Sequence, residues 1–232
     1  MPDNVSLLGF ADPVSSWSHL LGAAVFLGLT LRLLRRYGSD ALRVAAVLLL
    51  GVSSVFLLSM SGVYHLLEEG GSARPILRQL DHCGIFVLIA GTLTAVHLLL
   101  FSGRWRWIMI VVAWTVCALG ITLKTVFFAQ TPEWLGLALY LGMGWLGCVS
   151  TVRLGLLHGW PFVSLLFAGG MSYTLGAVLD FLRVPVLAPG LIGAHELFHL
   201  AVLIGLGLHF AFVRRALMRP DPAAQSDVAS HA

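Results

Sequence analysis

Apolar residues run along this chain in seven blocks, each long enough to cross a hydrocarbon layer as a helix and bounded by polar, Gly or Pro positions. The pattern predicts helices over 17–34, 43–67, 82–101, 106–124, 134–153, 162–182 and 193–213. Lipid offers backbone groups no water, so such blocks must satisfy their own hydrogen bonds as helices. The predicted fold is all-α, a polytopic seven-transmembrane-helix bundle. It comprises an N-terminal segment (1–16), a seven-helix domain (17–215) and a tail (216–232) whose small polar residues read as disordered. The first block has neither a basic lead nor a small-residue cleavage site, so it reads as a retained span.

Composition agrees with that pattern. Hydrophobic residues make up 58% of the 232 and charged residues only 11%, against about 25% charged in an ordinary soluble domain. Mean hydropathy is +0.91. The isoelectric point near 9.0 raises the question of nucleic acid, but Lys124 is the only lysine and the arginines sit at span ends. That distribution marks membrane orientation, and it excludes a basic surface interleaved with aromatics for nucleic acid. Cys83, Cys117 and Cys148 lie inside apolar blocks without Cys-x-x-Cys spacing, and read as small buried hydrophobes.

Sorting the basic residues by side gives Arg74, Arg78, Lys124 and Arg183 with the N-terminus, and the other ten of the 14 opposite. By the positive-inside rule the protein lies in the cell's inner or plasma membrane with its C-terminus in the cytoplasm.

Ionisable residues within or at the ends of spans are costly and are functional suspects. On a helix, residues four apart share one face about 6 Å apart, so His195 and His199 in Gly193-Ala-His-Glu-Leu-Phe-His199 can grip one metal ion from consecutive turns. Ser61 and His65 repeat the spacing at the end of the second span, and Asp81 opens the third from the same side. At 1.5 Å rise per residue all five lie within roughly 10 Å of one membrane face. His65, His195 and His199 then offer three neutral imidazoles and leave a position open for water. Asp81 accepts a hydrogen bond from that water, or serves as fourth ligand or outer partner. Ser61 orients the water or donates to a developing oxyanion. His19 and Glu196 are candidate outer partners, and His82, His97 and His209 read as helix-packing groups. Asp180 reads as a partner of Arg183 at a solvated helix end, and Trp17, Trp105, Trp107, Trp134 and Trp160 as an interfacial aromatic belt.

Several segments together resemble the hemolysin III-like proteins, the bacterial branch of the progestin and adipoQ receptors, within a superfamily that includes alkaline ceramidases. They are Ser61-x-x-Tyr64-His65, Leu80-Asp81-His82 with Ile89-Ala-Gly-Thr-x-Thr94, Lys124, Tyr140-Leu-Gly-Met-Gly-Trp145, Ser172-Tyr-Thr-Leu-Gly176 and His195-Glu-Leu-Phe-His199. The resemblance implies seven helices around a zinc ion held by His65, His195 and His199, with Asp81 and Ser61 contacting its water. Leu93, Ala95 and Asp180 depart from the family's pattern, where Tyr, Pro and an aromatic are expected. Receptor-type members are assigned a cytoplasmic N-terminus, opposite to the arginine count, whereas ceramidases agree with it.

Four functions follow as expectations. The first is a zinc-dependent hydrolase of a membrane lipid amide or ester, ceramidase-like by resemblance. The second is a membrane receptor or sensor for a lipid ligand, with a structural zinc closed by Asp81. The third, cytolysis, rests on the family name, and no amphipathic pore helix supports it. The fourth is an intramembrane metalloprotease, since His195-Glu196-x-x-His199 matches the zincin pattern. In that case Glu196 is the base, yet the only histidine of the spans beyond His199 is His209, nearly three turns deeper. The glycines of the fifth span are too loosely spaced for a dimer motif, and nothing in the chain sets an oligomeric state.

Overall fold

The computed structural model describes residues 10–38, 40–68 and 70–219; the tail expected to be disordered lies from residue 220 outside them, as do residues 1–9. Seven helices follow one another: α1 (Pro13–Tyr37), α2 (Ala41–Leu66), α3 (Arg74–Leu100), α4 (Gly103–Val126), α5 (Glu133–His158), α6 (Trp160–Leu182) and α7 (Ala194–Leu217). All seven are long and apolar enough to cross a membrane. Most overrun the apolar blocks, because their polar end turns stay helical beyond the hydrocarbon. The difference is largest at α3, which begins at Arg74-Pro75 and carries Arg78 and Asp81 on regular helix. Proline is favoured there, since the first helical turn has no use for its missing N–H.

Sequential helices pack side by side, and α1 returns against α7 to close the ring. Helix α3 is the most buried element and also reaches α5 and α7. The principal core joins α1, α2, α3 and α7 through residues such as Phe26, Leu50, Leu58, Leu206 and Phe210. Outward positions such as Val25, Val52, Leu119 and Leu156 are apolar and exposed, as a lipid-facing surface requires. Cys83 and Cys117 are buried and all three cysteines are free thiols.

Without a hydrophobic drive between helices in lipid, close backbone approach through small residues does much of the joining. Gly62, next to Ser61 on α2, faces Leu20 of α1 so closely that a Cβ there would fall 2.7 Å from the leucine Cγ. A Cβ on Gly176 of α6 would fall 2.5 Å from the Cβ of Ala201 on α7. Gly176 lies one turn before Asp180, so this contact sets how near α6 comes to the histidines of α7.

Gly176→Ala is therefore expected to overpack the α6–α7 seam and destabilise by about 1–3 kcal/mol, read as a lower thermal midpoint of the purified protein in detergent. Gly142→Ala, whose added Cβ meets nothing within 4 Å, should leave the midpoint unchanged.

Candidate metal centre

One end of the bundle gathers the last turn of α2 with the first turns of α1, α3 and α7 and the last turn of α6. The C-terminus of α2 is capped by the chain leading into α1, whose Ala11 and Asp12 N–H groups donate to the Leu66 and His65 carbonyls at 3.3 and 3.0 Å. The Ser16 hydroxyl donates to the Gly62 carbonyl at 2.7 Å one turn further in. Helix α7 starts at Gly193, whose N–H donates to the Glu196 carboxylate at 2.8 Å, the reciprocal half of a capping box. The Ser15 hydroxyl donates to the other Glu196 oxygen at 2.9 Å.

These contacts bring His65, His195 and His199 together. The Nε2 atom of His195 lies 3.2 Å from that of His65 and 3.1 Å from that of His199, and one nitrogen from each ring falls within 4.8 Å of the others, a set that could hold a metal ion. His65 and His199 are buried, while the His195 side chain remains 42% exposed toward the cavity.

The far sides of two rings are held by carboxylates. Asp12 Oδ2 lies 3.0 Å from His65 Nδ1 and is shared with Arg74 Nη2 at 3.2 Å; Arg74 also donates to the Leu67 carbonyl. Asp180 Oδ1 lies 3.2 Å from His195 Nδ1. A carboxylate at Nδ1 selects the tautomer with its proton there and the lone pair on Nε2. The lone pairs of His65 and His195 facing one another at 3.2 Å repel, so the donor set suits a cation between them.

The third ring is supported differently. His19 of α1 is buried and stacks on His199, with ring centroids 3.8 Å apart and planes 13° from parallel. Asp81 faces the same cavity from α3 but does not join the three-nitrogen cluster. Ser61 is buried one turn deeper than His65. Glu196 faces the cavity too, with both oxygens engaged by Gly193 and Ser15.

Two findings differ from the sequence reading. Asp180 does not pair with Arg183; it meets His195, while Arg183 reaches Glu133 of α5 at 3.3 Å. The Schellman-like turn after α6, with Arg183 at φ 56°, directs that arginine outward. Asp12, assigned to a segment ahead of the first span, is the partner of His65. His209 bonds the Leu166 carbonyl at 3.2 Å and His97 the Ser150 hydroxyl at 2.8 Å, both within helix packing as expected. His82 keeps its bond inside α3, with Nδ1 2.8 Å from the Arg78 carbonyl.

The histidines open onto a cavity of about 850 Å³ that also includes Asp81, Tyr140 and Lys124. A second, almost wholly apolar cleft of about 170 Å³ runs into the bundle between α3, α5, α6 and α7. The two share Ile85, Tyr140, Ala177 and Phe198, so an apolar slot adjoins the polar cavity. Leu93, one of the departures from the resemblance, lines that slot.

Residues 10–210, which include every residue of the centre, match the family model described as Haemolysin-III related. The chain belongs to that family. This haemolysin-III-related chain is 35% identical over 143 residues to the Hemolysin-3 homolog of Bacillus subtilis (strain 168), covering 61% of this chain and 65% of the relative. It is 34% identical over 170 residues to Hemolysin-3 of Bacillus cereus, 72% and 73% of the two chains. To the Adiponectin receptor protein of Drosophila melanogaster it is 24% identical over 213 residues, 84% of this chain and 48% of the relative. The chain thus spans just under two thirds of the first relative and about half of the third.

Alanine at His65, His195 or His199 is expected to remove most of the metal bound by the purified protein, measured by elemental mass spectrometry. Asp12→Asn and Asp180→Asn should retain metal but weaken its affinity by about 10–100-fold, measured by competition with a chromophoric chelator.

Proposed function

We propose that this protein is a zinc-dependent hydrolase of a membrane lipid amide or ester. The observation that carries the proposal is a three-imidazole cluster at the wall of a cavity that adjoins an apolar slot. Nitrogen ligands, three from protein with one position left over, are the donor set of catalytic zinc. Tetrahedral zinc with bonds of about 2.05 Å sets its ligand nitrogens about 3.3 Å apart, close to the 3.1 and 3.2 Å found here. When bound, zinc supplies Lewis acidity that acidifies water and polarises a carbonyl.

The chain's own residues then divide the work. The slot takes an acyl chain and holds the scissile carbonyl at its mouth, so the substrate need not leave the bilayer. Asp81 accepts a proton from the attacking water and returns it to the departing amine or alcohol, while the water oxygen stays on the acyl carbon. Ser61 supports the His65 side of the centre. Asp12 and Asp180 keep two imidazoles oriented and His19 packs the third. The basic residues favour a cytoplasmic C-terminus and a centre near the opposite face.

A receptor or sensor with a structural zinc, the reading closest to the name of the fly relative, needs a closed shell with Asp81 as fourth ligand. Among the described residues the cluster holds three histidines and no carboxylate, which favours the hydrolase. The protease reading needs Glu196 as base, and its oxygens serve the α7 cap and Ser15.

Incubation of zinc-loaded protein with bilayer lipids, followed by lipid mass spectrometry, is expected to show an acyl lipid consumed and a free acid formed. Asp81→Asn should lower turnover by about 100-fold or more with zinc content unchanged, and Ser61→Ala should lower it less. Glu196→Gln should keep the turnover and lose only stability. Zinc bound with no lipid consumed, and Ser61→Ala without effect, would establish the sensor instead.

A further inference from the structure

The metal-end cavity holds more charge than the proposed chemistry uses. Its acidic groups are largely accounted for: Asp12 with His65 and Arg74, Asp180 with His195, Glu133 with Arg183 and Glu196 at the α7 cap. Two cations on the opposite wall are not. Lys124 in the last turn of α4 is 5% exposed and lines the cavity, and among the described residues no carboxylate lies within ion-pairing distance of it. Arg78 on α3 lines the same cavity and is likewise without an ion pair. Both lean on one aromatic ring, the Lys124 Nζ 5.6 Å and the Arg78 Cζ 5.3 Å from the centroid of Phe128.

Room for the amine is made on the facing helix. A Cβ at Gly136 of α5 would fall 2.8 Å from Lys124 Nζ, so the missing side chain is what lets the ammonium sit there. The lysine stem is buried while its ammonium faces the cavity, a placement costlier than an exposed surface position. Asp81 and Glu133 line the same cavity, and among the described residues neither forms an ion pair with Lys124 or Arg78. The two cations stand near the ends of α3 and α4, on the polar cavity that adjoins the apolar slot.

We propose that Lys124 and Arg78 form an anion subsite for the phosphate of a lipid whose acyl chain enters the apolar slot. The assignment deepens the hydrolase reading and rests on it only for the statement that the bound lipid is the substrate. Guanidinium and ammonium together supply donors enough for a doubly charged phosphate, while Phe128 holds both side chains in place by cation–π contact. The subsite then selects phospholipids over neutral lipids with the same chains, and sets the headgroup beside the histidine cluster.

The test is binding, read by native mass spectrometry and by thermal midpoint of the intact zinc-loaded protein in detergent. Dioleoyl phosphatidic acid and dioleoylglycerol, which differ only by the phosphate, are the probes. Phosphatidic acid should bind at least about tenfold more tightly than dioleoylglycerol. Lys124→Met should erase most of that preference, a loss expected for one charge-assisted contact, and Lys124→Arg should restore it. Gly136→Ala, which displaces the amine without changing its charge, should reduce the preference as well. Unchanged zinc content and thermal midpoint in each unliganded variant show that the bundle is intact. Equal binding of the two lipids, or a preference untouched by Lys124→Met and by Arg78→Gln, overturns the proposal. Binding of inorganic phosphate as tight as that of phosphatidic acid overturns the lipid assignment. Phosphatidic acid bound with the expected preference but never hydrolysed would overturn its assignment as substrate and leave the subsite standing.

Discussion

Three imidazole nitrogens crowd into one small volume of this protein, and the surrounding structure is arranged to keep them there. The rings are braced from behind. Asp12 and Asp180 hold the Nδ1 atoms of His65 and His195, and His19 lies flat against His199. Two of these supports come from the start of α1 and one from the end of α6, so the centre is also what the ends of α1, α2, α6 and α7 have in common. Gly62 and Gly176 permit the close approach on either side. A local loss of packing at those seams is felt as a loss of ligand geometry.

Burial gives the same centre its second property. The histidines lie at a polar rim, yet the cavity in front of them adjoins an apolar slot along Ile85, Tyr140, Ala177 and Phe198. A molecule with one polar and one long apolar end fits that sequence of environments, and a wholly water-soluble one leaves the slot unfilled. The chemistry that suits the histidines and the shape that suits a lipid are thus adjacent features of one space.

Much of this was legible in the sequence. Hydropathy located all seven helices because a hydrocarbon core demands long apolar runs. Depth counting along α2 and α7 brought His65, His195 and His199 to one level, because helical rise is fixed at 1.5 Å per residue. Rise says nothing about rotation or about which helices touch, and there the reading stopped. Asp180 was matched to Arg183 because they are neighbours in the chain; packing turns the carboxylate to α7 and sends the arginine to α5. Asp12 preceded the first apolar block and so carried no membrane signal. The Glu196 cap was readable from Gly193-x-x-Glu196, but its fit to a zincin pattern drew attention elsewhere.

The residues that meet at the centre are drawn from nearly the whole length of the chain. His65 and His195 are separated by 130 positions, and α7 is the last of the seven helices to be synthesised. A nascent chain that has inserted six helices owns a single member of the trio, with Asp180 still waiting for its imidazole. The complete three-nitrogen set therefore exists only in the finished polypeptide, and it distinguishes a complete bundle from one that stalled a helix short.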